Sequence, residues 1–422
     1  MKQQLESAWH FLRSFLRWSL LAIVVGAVCG LVGTAFHICV NYATQWRGQF
    51  PWLLYLLPVG GVIIVWLYHV LGQSSSLGTD KLFTSIQDRT AVPVAMAPLI
   101  FVATFITHLL GGSAGREGAA LQLGGSLGDD IGALLKLDEN DRRTLTMVGM
   151  GALFAALFGT PLTATLFVME VLCMGHIVYS SFVPCIVASM TAFGVSLLLH
   201  MEPEGYALAA VPQLGWLSAV QVTGLAALCA VLSVGFCAVM HISGHSFKKY
   251  LKNPYVRAIV GGVAIIALTL LVGTRDYNGA GAQVIERAIE GVARPQDFIL
   301  KLLFTAITLG CGYKGGEIVP TFFVGATFGC VVGPLLGLDP GFAAAIGLVA
   351  TFCGNTNCPI ASVFLGIELF GGQAVPLFAI ACAVSYMLSG YSSLYHSQLL
   401  PEKDLKFGGM ITPEKDGQST AH

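Results

Sequence analysis

Apolar runs follow one another almost from end to end of this chain, separated by short polar or glycine-rich stretches. The clearest cover residues 15–45, 51–71, 93–110, 144–172, 177–200, 217–241, 258–272 and 298–308, then 319–336, 341–352, 359–370 and 375–388. The longer ones reach the roughly 20 residues a helix needs to cross a hydrocarbon core of ~30 Å; the shorter ones half-span it. In lipid each backbone N–H and C=O must be paired within the protein, so such runs predict helices. The expected fold class is an all-α polytopic membrane protein of full and broken helices, with no room for a soluble domain. Composition agrees. Hydrophobic residues make up 55% of the chain and charged ones 11%, where a soluble domain carries about 25% charge, and mean hydropathy is +0.74.

Charge orients the chain and narrows its partners. The net charge of −1 speaks against nucleic acid as a partner. Residues 1–18 carry Lys2, Arg13 and Arg17 with no small-residue cleavage site after them, which reads as a cytoplasmic start. Lys248, Lys249, Lys252 and Arg257 form a second positive cluster, and Lys403 and Lys406 a third; the loop 201–213 has Glu202 and Glu204 and no Lys or Arg. The positive-inside rule places both termini and the Lys248 loop in the cytoplasm. The 11 cysteines sit in apolar runs without CxxC spacing and read as small hydrophobes, so neither disulfides nor a metal site are expected.

The second half repeats the first. Gly78-Thr79-Asp80…Ile86 faces Gly281-Ala282-Gln283…Ile289 at an offset of 203 residues. Glu117…Gly125 faces Glu317…Gly325 at 200, and Pro161-Leu162…Glu170 faces Pro359-Ile360…Glu368 at 198. The spacing predicts a first transmembrane repeat over 1–200, a second over 214–400, and a short cytoplasmic tail over 401–422. Glycine-rich loops at 74–78, 111–115 and 312–316 each precede a new apolar run and predict helix N-termini inside the membrane. Their backbone N–H groups and positive helix ends suit an anion.

Two carboxylates stand at these loops, in Gly115-Arg116-Glu117-Gly118 and Gly315-Gly316-Glu317-Ile318. Ionisable groups in apolar segments mark ion or proton paths. Glu117, at the start of a helix expected over 117–135, has two readings: a first-turn acid paired with the dipole or with Arg116, or an anion mimic. In the second, the ionised carboxylate occupies the anion site and the protonated one releases it, which couples anion passage to proton movement. Glu317 either relays protons or caps its helix, with Lys314 as a counter-charge or an edge residue. Thr79 either donates its hydroxyl to an anion or N-caps residues 80–86. The matching positions of Glu170 and Glu368 suggest a scaffold role. His241 and His245, four apart, share a helix face, but no carboxylate pair accompanies them as a metal site would require. Nothing resembles a phosphate loop or a catalytic triad, so no enzyme and no cofactor are expected.

Gly115-Arg116-Glu117-Gly118, the run Gly315-Gly316-Glu317-Ile318-Val319-Pro320 and Tyr395 resemble the CLC family of chloride channels and anion/proton antiporters. The resemblance extends from about Gly26 to Gln398 in order and spacing. It implies two inverted helical repeats per subunit and a homodimer with one pore in each subunit. It also implies that Glu117 is the gating glutamate, Tyr395 the anion-coordinating tyrosine, Thr79 the counterpart of the usual serine, and the amides of Ile318 and Val319 part of the central site. Gly115, Arg116, Gly118 and Gly316 join these as anion-binding positions. Three departures stand out: Ala119 where the motif has Pro, Thr79 within Gly-Thr-Asp-Lys, and Val171 where many antiporters have an inner proton glutamate. Tyr313-Lys314-Gly315-Gly316-Glu317, Asn355-Thr356-Asn357 and 389–398 look like the bacterial fluoride-exporting branch, in which the Glu317 position lies by the pore. The resulting expectation is a proton-coupled fluoride or chloride antiporter in a lipid bilayer; the alternative is a passive chloride channel.

Overall fold

The computed structural model of the chain describes residues 2–73 and 78–400; the expected tail at 401–422 and most of the 74–78 loop lie outside them. The described residues form helices joined by loops and four short 3-10 turns. In the first half these are α1 (Lys2–Gln49), α2 (Leu57–Val70), α3 (Thr79–Asp88), α4 (Met96–Leu109), α5 (Glu117–Leu134), α6 (Glu139–Phe158), α7 (Pro161–Glu170) and α8 (Phe182–Leu198). In the second they are α9 (Trp216–Tyr250), α10 (Pro254–Val272), α11 (Ala282–Ile289), α12 (Asp297–Gly310), α13 (Ile318–Val332), α14 (Pro340–Thr356), α15 (Pro359–Phe370) and α16 (Val375–Leu388). Each helix of the first series has a counterpart in the second, in the same order. Six helical stretches among the described residues are long and apolar enough to cross a membrane, α1, α9 and α10 among them, whereas α4, α15 and α16 are shorter.

Local chemistry explains the breaks. The apolar run at 144–172 reads as one stretch in the sequence, yet it is two helices. Asp138 opens α6 by accepting from Asp141 N at 2.8 Å, Gly159 closes it at φ 71°, and Pro161 opens α7. Proline is at home in the first turn of a helix, where its missing N–H is not needed. The second half repeats the device: Asp339 caps α14 through Phe342 N at 2.9 Å, Asn357 ends it at φ 57°, and Pro359 opens α15.

The halves are joined reciprocally. The Glu368 carboxylate at the end of α15 accepts from Leu162 N and Thr163 N of α7, at 2.9 and 2.8 Å. Glu170 at the end of α7 accepts from Ile360 N and Ala361 N of α15, at 3.2 and 2.8 Å. Gly115 and Gly316 exchange both backbone hydrogen bonds, each 2.8 Å, in an antiparallel bridge. From that bridge α5 and α13 leave by their N-terminal ends, and each then packs along its own neighbour, α6 or α14. The bridge is antiparallel, so the chain enters α5 and α13 in opposite directions, as it does in inverted repeats. Around this core, α1, α2, α9 and α10 expose Leu31, Trp66, Val231 and Val263 among many apolar side chains. An apolar surface that extensive suits lipid.

Candidate anion and proton site

The bridge between Gly115 and Gly316 brings the two sequence motifs together and points two helix N-termini at one place. Glu117, the first residue of α5, is fully buried. Its side chain reaches across to the other repeat, where Oε1 accepts a hydrogen bond from Val319 N in the first turn of α13. Oε2 is buried without a hydrogen-bond partner among the described residues. A carboxylate there satisfies an otherwise free N–H and meets the positive end of the helix dipole. The glycines make room for it: a Cβ on Gly316 would lie 2.7 Å from Glu117 Oε2, and one on Gly118 3.1 Å from Gly316 Cα.

Tyr395 is buried with its ring against Phe83, 5.0 Å between centroids at 66°. Its hydroxyl is a second buried polar group without a partner among the described residues. Hydrogen bonds fix the loop that carries it: Tyr395 N to Ser393 Oγ at 3.1 Å, Leu394 N to Asn355 O at 2.9 Å, and Asn357 Nδ2 to Ser392 O at 2.8 Å. Asp80 accepts from Ser397 N and Oγ, at 3.0 and 2.8 Å, and so ties α3 to the same loop. The Asn355-Thr356-Asn357 motif is thus a holder of the tyrosine loop.

Several expectations change once partners are visible. Thr79 is not an N-cap: Gly78 holds that position, and Thr79 is the first helical residue, its hydroxyl accepting from Gln122 Nε2 at 3.2 Å. Gln122 also donates to Gly118 O at 3.1 Å, which draws α3 against the Glu117 turn. Arg116 does not pair with Glu117. Its guanidinium forms an ion pair with Glu204, donates to Asn41 Oδ1 at 3.3 Å, and lies over the Phe158 ring. What Arg116 brings to the Glu117 turn is its backbone. Glu317 sits at the N-cap of α13 but makes no side-chain cap bond. It lines a cavity of about 540 Å³ together with Asp80, His241 and His396. Lys314 Nζ lies 4.7 Å from the centre of the Tyr68 ring. The Glu170 carboxylate is taken up by α15, and its neighbour Val171 is buried.

Lys301 was not singled out from the sequence. It is fully buried in α12 and donates to Gly279 O at 2.6 Å, Ser113 Oγ at 3.1 Å and Tyr277 O at 3.3 Å, with the Phe323 ring 5.2 Å away. Those bonds pin the 111–115 loop ahead of Glu117 to the second repeat. A lone lysine inside the apolar run at 298–308 was the signal, since a charge there needs carbonyl partners.

Comparison with known proteins bears on what this arrangement serves. A family model described as "Voltage gated chloride channel" matches residues 60–390. The chain belongs to the voltage-gated chloride channel, or CLC, family. It is a multi-pass membrane anion transporter of that family. A chloride/fluoride channel protein of Pseudomonas syringae pv. tomato is 35% identical over 389 residues, covering 90% of this chain and 86% of that one. An H(+)/Cl(-) exchange transporter ClcA of Vibrio campbellii is 25% identical, covering 91% and 90%. Among solved structures, a CLC-type fluoride/proton antiporter superposes with a TM-score of 0.88 at 32% identity, over 92% of this CLC chain and 98% of the other. A slow cyanobacterial Cl-/H+ antiporter, at 21% identity and a TM-score of 0.75, shares the fold.

Proposed function

We propose that this CLC protein is a proton-coupled halide antiporter, exchanging fluoride or chloride for protons through a pore that Glu117 gates. The observation that carries the reading is the Glu117 carboxylate itself, buried and bound by Val319 N at the start of α13. It is the protein's own anion on a helix-end anion site. Ionised, Glu117 holds that site against halide. Protonated, it loses its charge and its hold on α13, and a halide takes its place on the amides of Ile318 and Val319, with the Tyr395 hydroxyl and Thr79 alongside. Because one carboxyl must gain a proton for each exchange, the two flows are coupled. Glu317, across the Gly115–Gly316 bridge, passes protons between Glu117 and the cavity it lines.

Fluoride is the favoured halide, supported by the fluoride/proton antiporter at 32% identity; the name of the Pseudomonas relative carries both halides. A passive channel is the second reading, favoured by Val171 in place of an inner glutamate and by the word channel in that same name. In this reading the repeats 1–200 and 214–400 form one pore, two subunits form a homodimer surrounded by lipid, and both termini and the 401–422 tail face the cytoplasm. Purified protein in liposomes tests it, with fluoride, chloride and proton fluxes followed together. An acidic exterior is expected to drive halide out of the vesicles against its own gradient as protons enter. Halide flux that never moves protons uphill leaves the channel reading in its place.

A further inference from the structure

The cavity beside Glu317 is lined by two histidines from distant parts of the chain, His241 on α9 and His396 directly after Tyr395. Their rings stack with centroids 3.7 Å apart and planes 26° apart. Two imidazolium ions at that separation repel strongly, so the stack accommodates one added proton at a time. His241 Nε2 lies 3.2 Å from Leu394 O. A carbonyl only accepts, so Nε2 carries the ring hydrogen and Nδ1 keeps a lone pair to take a proton. The ionisable groups facing the pair are Asp80 from α3, Glu317 at the N-cap of α13, and His245 and Lys248 from the same face of α9; α12 contributes Leu309 and Gly310 to the wall. Asp80 accepts from Ser397 N and Oγ through Oδ1. Glu317 makes no side-chain cap bond and follows directly on the Gly115–Gly316 bridge, so of the two carboxylates on this cavity it is the one on the side of Glu117.

We infer that His241 and His396 form a one-proton relay between the cavity and Glu317. A ring nitrogen takes a proton from hydronium entering the cavity, leaving water behind, and the imidazolium then delivers it to the Glu317 carboxylate. The ring returns to neutral and the carboxylate becomes a carboxyl. Imidazole suits the step because it is the side chain that changes charge between about pH 5 and 8. Leu394 and His396 flank Tyr395, so the protonation state of the pair also bears on the loop that holds the anion-facing tyrosine.

The inference rests on the proton-coupled reading, and one set of measurements separates the two. Proton and fluoride fluxes are recorded together in liposomes between about pH 5 and 8, for the parent protein, H241Q/H396Q, and the single variants H241A and H396A. A parent that moves no protons uphill removes the proton-coupled reading and the relay with it. If the parent couples, the double variant is expected to lose proton flux on the order of 100-fold, the lower end of what a positioned proton-transfer group supplies. Its pH profile is expected to flatten, and added imidazole to restore flux in H241A and H396A. A double variant that couples at the parental rate with an unchanged pH profile overturns the relay. So does flux in both alanine variants that imidazole leaves unrestored, which is the result a packing role gives; this arm needs only the single variants if the double one fails to fold.

Discussion

Glu117 Oε2 and the Tyr395 hydroxyl are both buried without a partner among the described residues, and a buried unpaired polar atom costs about 1–3 kcal/mol. Atoms kept at that cost are suited to a ligand that comes and goes. Tyr395→Phe is therefore expected to leave thermal stability unchanged or slightly raised while weakening halide binding about tenfold or more, since a hydrogen bond to a charged group contributes about 1.5–3 kcal/mol. Titration calorimetry with fluoride and a melting curve in detergent check the two halves of that statement. Glu117→Gln keeps an oxygen for Val319 N but removes the proton site, so proton movement is expected to vanish while the protein still folds; liposome recordings with a pH electrode read this. Lys301 belongs to the same scale. Lys301→Met leaves Gly279 O and Tyr277 O without their ammonium donor, and the melting temperature is expected to fall by the equivalent of about 2 kcal/mol or more, as for buried acceptors stripped of a partner.

Helix pairs carry the next layer. α7 and α15 cap one another, each supplying from its last turn the carboxylate that the other's first turn needs. Loss of such a cap costs about 0.5–2 kcal/mol. Glu368→Ala and Glu170→Ala are each expected to lower stability by about that much, read from denaturation in detergent, with anion selectivity unchanged. The matched Pro-to-Glu spacing made this symmetry legible in the sequence, and a scaffold role was the right expectation. Which backbone amides the carboxylates would find was not legible, because the partners lie 190 to 206 residues away. The α6–α7 break was half legible: Pro161 was visible, but hydropathy continued across it. Gly316→Ala tests the crossing itself. Its Cβ would lie 2.5 Å from Gly118 N and 2.7 Å from Glu117 Oε2, so the carboxylate is expected to be displaced and coupled flux lost.

At the scale of the whole molecule, inversion is what makes a site out of two helix ends. Parallel repeats would set α5 and α13 side by side, with their N-termini facing the same way. Inverted ones bring the ends face to face at the Gly115–Gly316 bridge, so that a carboxylate from one repeat meets an amide of the other. The sequence by itself determined the helical class, the repeat and those breaks where glycine or proline interrupts hydropathy, because these act through the local backbone and lipid permits few alternatives. It also marked Gly115-Arg116-Glu117-Gly118 and Glu317 as the charges that needed a reason. Only the tertiary structure decided what each one does with its charge: Arg116 turned to Glu204, 88 residues on, Glu117 reached Val319, 202 residues on, and Glu317 faced a cavity beside two stacked histidines. Those outcomes depend on which surfaces the packed helices bring together, and no local pattern in the chain encodes that.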